Sequence, residues 1–123
     1  MKAVPILYCR NMEEAIAFYT QVLDFTLKYS GTGPQNPVVS VVNGDAELQL
    51  SILRGDQKTA IAVNLAVKNV DALCKKYLER GLPPHNDPES PVHNSPLDQT
   101  WGTREWYVND PSGNTLRFIA PGA

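Results

Sequence analysis

The sequence predicts an α+β fold made of two halves with the same order of elements: one strand, one helix and three further strands. Each half contains an amphipathic helix behind an asparagine N-cap, Asn11 in the first and Asn69 in the second. These caps are 58 residues apart (69 − 11), and the same shift superimposes the apolar positions that follow them. Internal duplication explains this pattern, so we expect a first βαβββ module over residues 1–57 and a second over 58–123 within one structural domain.

The first half begins with a short apolar strand over residues 4–9. Asn11 then caps a helix, and Glu14 three positions later completes a predicted capping box. The apolar stripe of this helix contains Met12, Ala15, Ile16, Tyr19, Val22 and Leu23. The three strand candidates that follow are residues 25–30, 37–42 and 46–53. Asn43-Gly44-Asp45 is the predicted hairpin turn between the last two, because Asn and Gly tolerate positive φ.

The second half repeats this order, beginning with a strand over residues 60–68 and the cap Asn69. The stripe of its helix contains Val70, Leu73, Cys74, Tyr77 and Leu78. Gly81 is a natural helix stop, residues 82–85 are a weak strand candidate, and 83–100 form a proline-rich polar loop. The last elements are strands at 104–109 and 115–120, joined by a turn at 110–114.

Strand alternation separates a helix-facing side from an opposite side in each half. In the first strand, Pro5, Leu7 and Cys9 are assigned to the helix side. The residues assigned to the opposite side are Val4, Ile6, Tyr8, Glu47, Gln49 and Ser51 in the first half, and Ala62, Asn64, Ala66, Thr115, Arg117 and Ile119 in the second. A few polar groups among small apolar ones are typical of a concave ligand pocket. The alternative is a plain sheet face exposed to solvent.

Composition and charge exclude several classes of partner. The net charge of −2 and the pI near 5.6 argue against a nucleic-acid surface. No apolar run reaches membrane-spanning length, and the N-terminus lacks the pattern of a secretory signal. Cys9 and Cys74 lie in apolar patterns, as buried thiols do in the reducing cytoplasm. We therefore expect a cytoplasmic protein with no nucleic-acid or membrane partner.

Motifs at both ends of the chain resemble one known superfamily. Residues 3–7, 11–19 and 22–25 resemble the start of the glyoxalase I, bleomycin-resistance and extradiol dioxygenase (vicinal oxygen chelate) superfamily. The ending, at 101–105 and 109–118, looks most like its bleomycin-resistance proteins. The resemblance covers nearly the whole chain. It implies two βαβββ modules forming a curled sheet around a cleft, with the helices on the outer face, and a homodimer with clefts at or near the subunit interface.

Enzymes of this superfamily hold a metal ion with His, Glu or Gln on cleft-facing strands. Carried over residue by residue, those positions are Val4, Gln49, Ala62 and Arg117. Valine and alanine offer no lone pair, and a guanidinium repels a divalent ion. One glutamine cannot supply the three or four ligands required. The resemblance therefore implies no metal and no cofactor at these positions.

His85 and His93 do not restore a metal site. They lie eight residues apart (93 − 85) in the proline-rich loop, near Asp87 and Glu89. This spacing matches no strong zinc pattern, so solvated loop residues are the preferred interpretation. Cys9 and Cys74 are assigned to helix-packed positions, so neither is expected to act as a nucleophile.

The resistance proteins that this chain resembles sequester a flat, cationic drug between aromatic side chains without catalysed chemistry. Trp101 corresponds to the motif tryptophan, and Tyr29 lies where such proteins often have an aromatic. Either side chain could stack on a planar ligand, the alternatives being a loop anchor for Trp101 and an exposed strand end for Tyr29. Trp106 is interpreted as a core or interface residue. The other predicted ligand contacts are Gln49, Asn64, Arg117, Glu47 and Ser51.

Two departures from the resistance pattern leave the ligand open. Asn64 and Ala66 stand where one resistance branch has bulky aromatics, and Arg117 adds a positive charge that could select an anionic ligand. The leading hypothesis is a homodimeric small-molecule binding protein, with a glycopeptide antibiotic as the first candidate ligand. The alternatives are a metal-independent enzyme of the superfamily, marked by a raised pKa at Glu47 or Glu105, and a protein-interaction module.

Overall fold

Two four-stranded sheets with the same internal order confirm the duplicated α+β fold in the computed structural model, which describes residues 1–55, 60–83 and 95–122. Contacts divide the chain into a first unit, Met1–Ile61 with Asp110–Asn114, and a second unit, Ala62–Asn109 with Thr115–Ala123. The predicted module boundary at 57/58 lies outside the described residues and stays a prediction. That the two halves share a cleft also stays a prediction.

The first sheet contains the strands β1 Ile6–Tyr8, β2 Thr26–Leu27, β3 Val38–Asn43 and β4 Ala46–Ser51. Their order is β1-β4-β3-β2, with β1 parallel to β4 and the other neighbours antiparallel. Helix α1, Met12–Ala17, continues into a π-helical segment, Phe18–Val22. The apolar face of this sheet is buried on the helix side through Leu7, Val39, Val41, Leu48 and Leu50.

The second sheet repeats the arrangement with β5 Ala62–Ala66, β6 Leu97–Asp98, β7 Thr103–Asn109 and β8 Thr115–Pro121. Its order is β5-β8-β7-β6, again with one parallel pair, β5 and β8, at the corresponding place. Helix α2, Val70–Glu79, contacts β7 and β8. Tyr77, Trp106 and Phe118 form the aromatic core of this unit, with ring centroids 5.7 to 6.1 Å apart. Neither α1 nor α2, the helices of the described segments, is long and apolar enough to cross a membrane.

Both predicted N-caps are confirmed. The Asn11 side chain accepts a hydrogen bond from the backbone N–H of Glu14 at 2.9 Å, and Asn69 accepts one from Ala72 at 3.1 Å. The predicted capping box is wrong at its second residue. The Glu14 carboxylate instead accepts two bonds from the Arg10 guanidinium, at 2.9 and 2.7 Å, because a bidentate ion pair is stronger than a return bond to a backbone N–H.

Several predicted element ends are wrong. The strand expected at 25–30 stops at Leu27, and Thr32 folds back to bond the Tyr29 carbonyl. The strand expected to reach residue 53 stops at Ser51, and Ile52 beyond it is 39% exposed. Leu78 was assigned to the stripe of α2 but is 39% exposed, because it lies at the edge of that stripe in the final turn.

The short strand predicted at residues 82–85 of the second half is also misplaced. Residues 82–83 are not in a strand, and 84–85 lie outside the described residues. The strand β6 lies instead at Leu97–Asp98, within the stretch interpreted as a loop. Two residues are too short to show an alternating pattern.

The turn at 110–114 belongs to the first unit, where it forms a buried polar network. The Asp110 carboxylate accepts a hydrogen bond from the Tyr19 hydroxyl at 2.8 Å. The Asn114 amide donates to the Tyr8 carbonyl at 2.9 Å and accepts from the Ile61 N–H at 3.1 Å. Each of these three bonds joins residues that are distant in sequence, so the turn holds the first unit's chain segments together.

Candidate functional site

The side of the second sheet opposite α2 carries a cluster of polar side chains. Strand register places Tyr107 opposite Arg117, and Arg117 opposite Asn64, so these side chains lie on one face. Leu116 and Phe118 point to the other side and are buried, as strand parity predicts. We call the first surface the open face of the second sheet.

Glu105 is the centre of this cluster and is only 6% exposed. Its carboxylate accepts hydrogen bonds from the Trp101 indole N–H at 2.9 Å, the Thr103 hydroxyl at 2.6 Å and the Tyr107 hydroxyl at 2.5 Å. Burial alone would raise the pKa of Glu105, but the hydrogen bonds from Thr103, Tyr107 and Trp101 outweigh burial and lower it. The raised pKa expected of a catalytic carboxylate is therefore not found here. Glu105 stays charged and organises its neighbours.

Arg117 lies on the same face of the sheet as Glu105, and its guanidinium group lies over an aromatic ring. Its guanidinium carbon is 4.9 Å from the centroid of the Tyr107 ring, a cation–π contact. The Nε–H group is buried and has no hydrogen-bond partner among the residues that the structure describes. Buried polar groups are nearly always hydrogen-bonded, so this donor is the clearest unsatisfied group on the open face of the second sheet.

The two tryptophans have opposite environments. Trp101 is 66% exposed, and its indole N–H is held by Glu105, which fixes the ring at the surface. Trp106 is 2% exposed and stacks on Tyr77 and Phe118, so its interpretation as a core residue agrees with its place in this unit. A ring that is fixed but exposed is suited to stacking on a planar ligand.

The corresponding side of the first sheet, opposite α1, carries Glu47, Gln49 and Ser51 as parity predicts. The Glu47 carboxylate accepts hydrogen bonds from Lys28 Nζ at 3.0 and 3.1 Å and from Lys2 Nζ at 3.2 Å. The bond from Lys28 lowers the pKa of Glu47 against the opposing effect of burial, and the bond from Lys2 adds to the lowering. The raised pKa expected of a catalytic carboxylate is therefore not found at Glu47 either.

The other predicted contacts differ in accessibility. Ser51 is fully buried, and its hydroxyl accepts the N–H of Leu53 at 3.1 Å. Tyr29 is exposed, and Lys28 Nζ lies 5.4 Å from its ring centroid. Asn64 is exposed and Gln49 is half-buried. Their roles in ligand binding stay predictions.

Sequence reasoning missed four residues of these clusters: Lys2, Lys28, Thr103 and Tyr107. Two of them carried a usable signal, because Thr103 and Tyr107 are each two positions from Glu105 and so share its face. The lysines carried none. Lys2 and Lys28 are 45 and 19 residues from Glu47 and lie outside the strands, so only the folded chain brings them to it.

The side chains at the positions implied for metal ligands do not fit a metal ion. Arg117 is a permanent cation engaged with Tyr107, and Gln49 is the only donor among the other three, since Val4 and Ala62 have hydrocarbon side chains. Across residues 1–55, 60–83 and 95–122, no group of three or more His, Cys, Asp or Glu residues could hold a metal. His85 and His93 lie outside these ranges.

The cysteines are poor nucleophiles. Cys9 and Cys74 are buried free thiols. Burial raises the pKa of Cys9 to about 12, and burial also raises the pKa of Cys74. Because the thiolate is the reactive form, both side chains are expected to be inert near neutral pH.

Solved structures with this fold include proteins of different kinds. A bleomycin resistance determinant encoded on the transposon Tn5 has a TM-score of 0.79 and 20% identity, covering 100% of this chain and 99% of its own. A bleomycin-binding protein from Streptomyces verticillus, solved with copper(II)-bleomycin, has a TM-score of 0.74 and 23% identity, covering 100% and 97%. Lactoylglutathione lyase from Agrobacterium tumefaciens has a TM-score of 0.75 and 15% identity, covering 98% and 92%. At these identities the likeness is one of fold.

Comparison with the curated proteins finds no match. The family model described as Glyoxalase/Bleomycin resistance protein/Dioxygenase superfamily matches residues 3–118. This match spans both units and includes the opening and closing motifs. The chain therefore belongs to the glyoxalase/bleomycin resistance protein/dioxygenase superfamily.

Proposed function

We propose that this protein binds and sequesters a small organic molecule in the cytoplasm, as a homodimer and without transforming it. The observation that carries the proposal is the side-chain chemistry at the superfamily's metal positions, Val4, Gln49, Ala62 and Arg117. These residues cannot support metal-dependent chemistry, whereas the exposed Trp101 ring offers a surface for a planar ligand.

Binding is preferred to catalysis because the acidic groups are already occupied. Glu105 accepts three hydrogen bonds, and Glu47 is paired with Lys2 and Lys28. A general base near neutral pH needs a pKa close to 7, and the pKa of each carboxylate is lowered instead. No observation favours the metal-independent enzyme over the binding protein.

Bleomycin is the first ligand to test, because two of the structural neighbours are a bleomycin-binding protein and a bleomycin resistance determinant. Calorimetric titration with metal-free and copper-bound bleomycin is expected to show saturable binding, and the protein is expected to protect plasmid DNA from cleavage by the drug. Trp101→Ala should weaken binding by about tenfold or more, as loss of a stacking contact predicts.

The matched control for this titration is Tyr29→Ala, which removes another exposed aromatic from the first unit. A larger loss in Tyr29→Ala than in Trp101→Ala would move the stacking surface to the first unit. No heat at micromolar protein, together with no protection of DNA, would remove bleomycin as the ligand. Binding of other small molecules would then decide the proposed function.

The homodimer is a separate prediction. Both units expose large apolar side chains: Tyr29, Ile52, Leu53, Leu97 and Trp101. Each sheet also ends on a short edge strand of two residues, β2 or β6, and association can cover such edges. Sedimentation at tens of micromolar should give a species twice the 13.6 kDa chain mass. A monomer alone at that concentration would contradict it.

A further inference from the structure

Among the described residues, Arg117 differs from two other arginines in having no carboxylate partner. Arg10 is paired with Glu14 at 2.7 Å, and Arg104 is paired with Asp71 at 2.9 Å and Asp98 at 3.2 Å. Within the described segments, no carboxylate makes such a pair with Arg117, although its guanidinium is permanently charged. Its Nε–H is buried, and no acceptor for it lies in residues 1–55, 60–83 or 95–122. A charged donor left in this state is a place for a ligand acceptor.

Glu105 is not the acceptor for the Arg117 Nε–H, because its carboxylate oxygens accept hydrogen bonds from other residues. One oxygen accepts from Tyr107, and the other accepts from both Trp101 and Thr103. Glu105 thereby holds the Tyr107 ring under the Arg117 guanidinium and fixes the Trp101 indole at the surface. A single carboxylate thus positions both an aromatic platform and the support of an unpaired cation.

We propose that the open face of the second sheet binds a planar ligand bearing a single carboxylate, with Arg117 taking the carboxylate and Trp101 stacking on the ring. This inference rests on the proposed binding function and names the class of ligand. A monoanion is favoured over a dianion because one guanidinium is unpaired and the Glu105 charge lies nearby. A cationic drug is disfavoured at this position by the same guanidinium.

The test uses three probes with the same ring system: 2-naphthoate, neutral 2-naphthamide and cationic 2-naphthylmethylammonium. Calorimetry on the full-length protein should show 2-naphthoate binding about tenfold or more tightly than the amide, with the cation weakest, as a charge-assisted hydrogen bond predicts. The Arg117 Nε–H signal in NMR spectra should shift downfield on addition of 2-naphthoate only. Trp101→Ala should weaken all three probes.

Arg117→Gln should abolish the preference for 2-naphthoate over 2-naphthamide, whereas the matched control Arg10→Gln should retain it. Arg10 is exposed and its guanidinium pairs with Glu14, so Arg10→Gln removes one positive charge without altering a described contact of Trp101, Tyr107 or Arg117. Should Arg117→Gln fail to fold, Arg117→Lys keeps the charge, and its preference should fall because the planar donor is lost.

Equal affinity for the acid and the amide, or a preference that survives Arg117→Gln, would overturn the inference while leaving the proposed binding function in place. Tighter binding of 2-naphthyl phosphate than of 2-naphthoate would overturn the monoanionic class. If no naphthyl probe binds, the inference fails, and the bleomycin titration alone then decides the broader function.

Discussion

Replacing Trp106 by alanine is expected to lower the free energy of unfolding by about 3–5 kcal/mol, the usual cost of removing a large aromatic from a packed core. Trp106 is 2% exposed, and its ring stacks on Tyr77 and on Phe118 with centroids 6.1 Å apart in each pair. Alanine would leave a cavity on the helix side of the second sheet, where α2 packs on β7 and β8.

Trp101→Ala is the matched control for this variant, since it removes the same side chain from an exposed position. It should cost about 1 kcal/mol or less, chiefly through the lost hydrogen bond to Glu105. Urea unfolding followed by far-UV circular dichroism avoids a readout that depends on either indole. Similar losses of stability in the two variants would contradict the assignment of one ring to the core and the other to a surface.

The same two variants separate stability from function. At urea concentrations well below its unfolding midpoint, Trp106→Ala should keep the hydrogen bonds around Glu105. Those bonds lie on the opposite side of β7 from the Trp106 ring. Trp101→Ala should keep stability and lose ligand affinity. From the sequence, Trp106 is interpreted as a core or interface residue, whereas Trp101 is left open between a ligand-stacking ring and a loop anchor. These two variants test both assignments.

Much of the fold could be predicted because its signals are local. Asn11 and Asn69 cap helices through bonds to residues three positions on, and strand parity follows from alternation within a few residues. The buried Leu48 and Leu50 and the half-buried Gln49 follow from that parity alone. Such features depend on short-range geometry, which the sequence displays directly.

The electrostatics of the candidate site could not be predicted, because they depend on strand register and on competition among partners. A raised pKa at Glu47 or Glu105 was the predicted mark of the alternative hypothesis, a metal-independent enzyme. In each case hydrogen-bond donors outweigh burial, and those donors include Lys2 and Trp101. Competition among partners also decides the bonding of Glu14 at the start of α1. Arg10 donates to the carboxylate that was expected to complete a capping box.

A second large effect is expected at Asp110, whose carboxylate accepts four hydrogen bonds while almost fully buried. Its Oδ1 accepts the N–H groups of Ser112 and Asn114, both at 2.9 Å. Its Oδ2 accepts the Tyr19 hydroxyl at 2.8 Å and the Asn114 amide at 3.0 Å. Asp110→Ala leaves these donors without their acceptor, and unsatisfied buried groups cost about 1–3 kcal/mol each. We expect a total loss of about 3 kcal/mol or more, which is a large share of the stability of a small domain.

The control is Asp98→Ala, because Asp98 is an exposed carboxylate whose hydrogen bond to Arg104 is 3.2 Å long. Exposed ion pairs contribute about 0–1 kcal/mol, so this variant should unfold almost as the parent protein does. Tyr19→Phe removes one donor to Asp110 and should cost about 1–2 kcal/mol, since three donors remain on the carboxylate. The double variant Asp110→Ala, Tyr19→Phe should be less destabilised than the two single losses added together, because Asp110→Ala already deprives the Tyr19 hydroxyl of its acceptor. Additive losses in urea unfolding would show that the bond between these two side chains contributes nothing of its own, and would leave Asp110 stabilised by its bonds to Ser112 and Asn114.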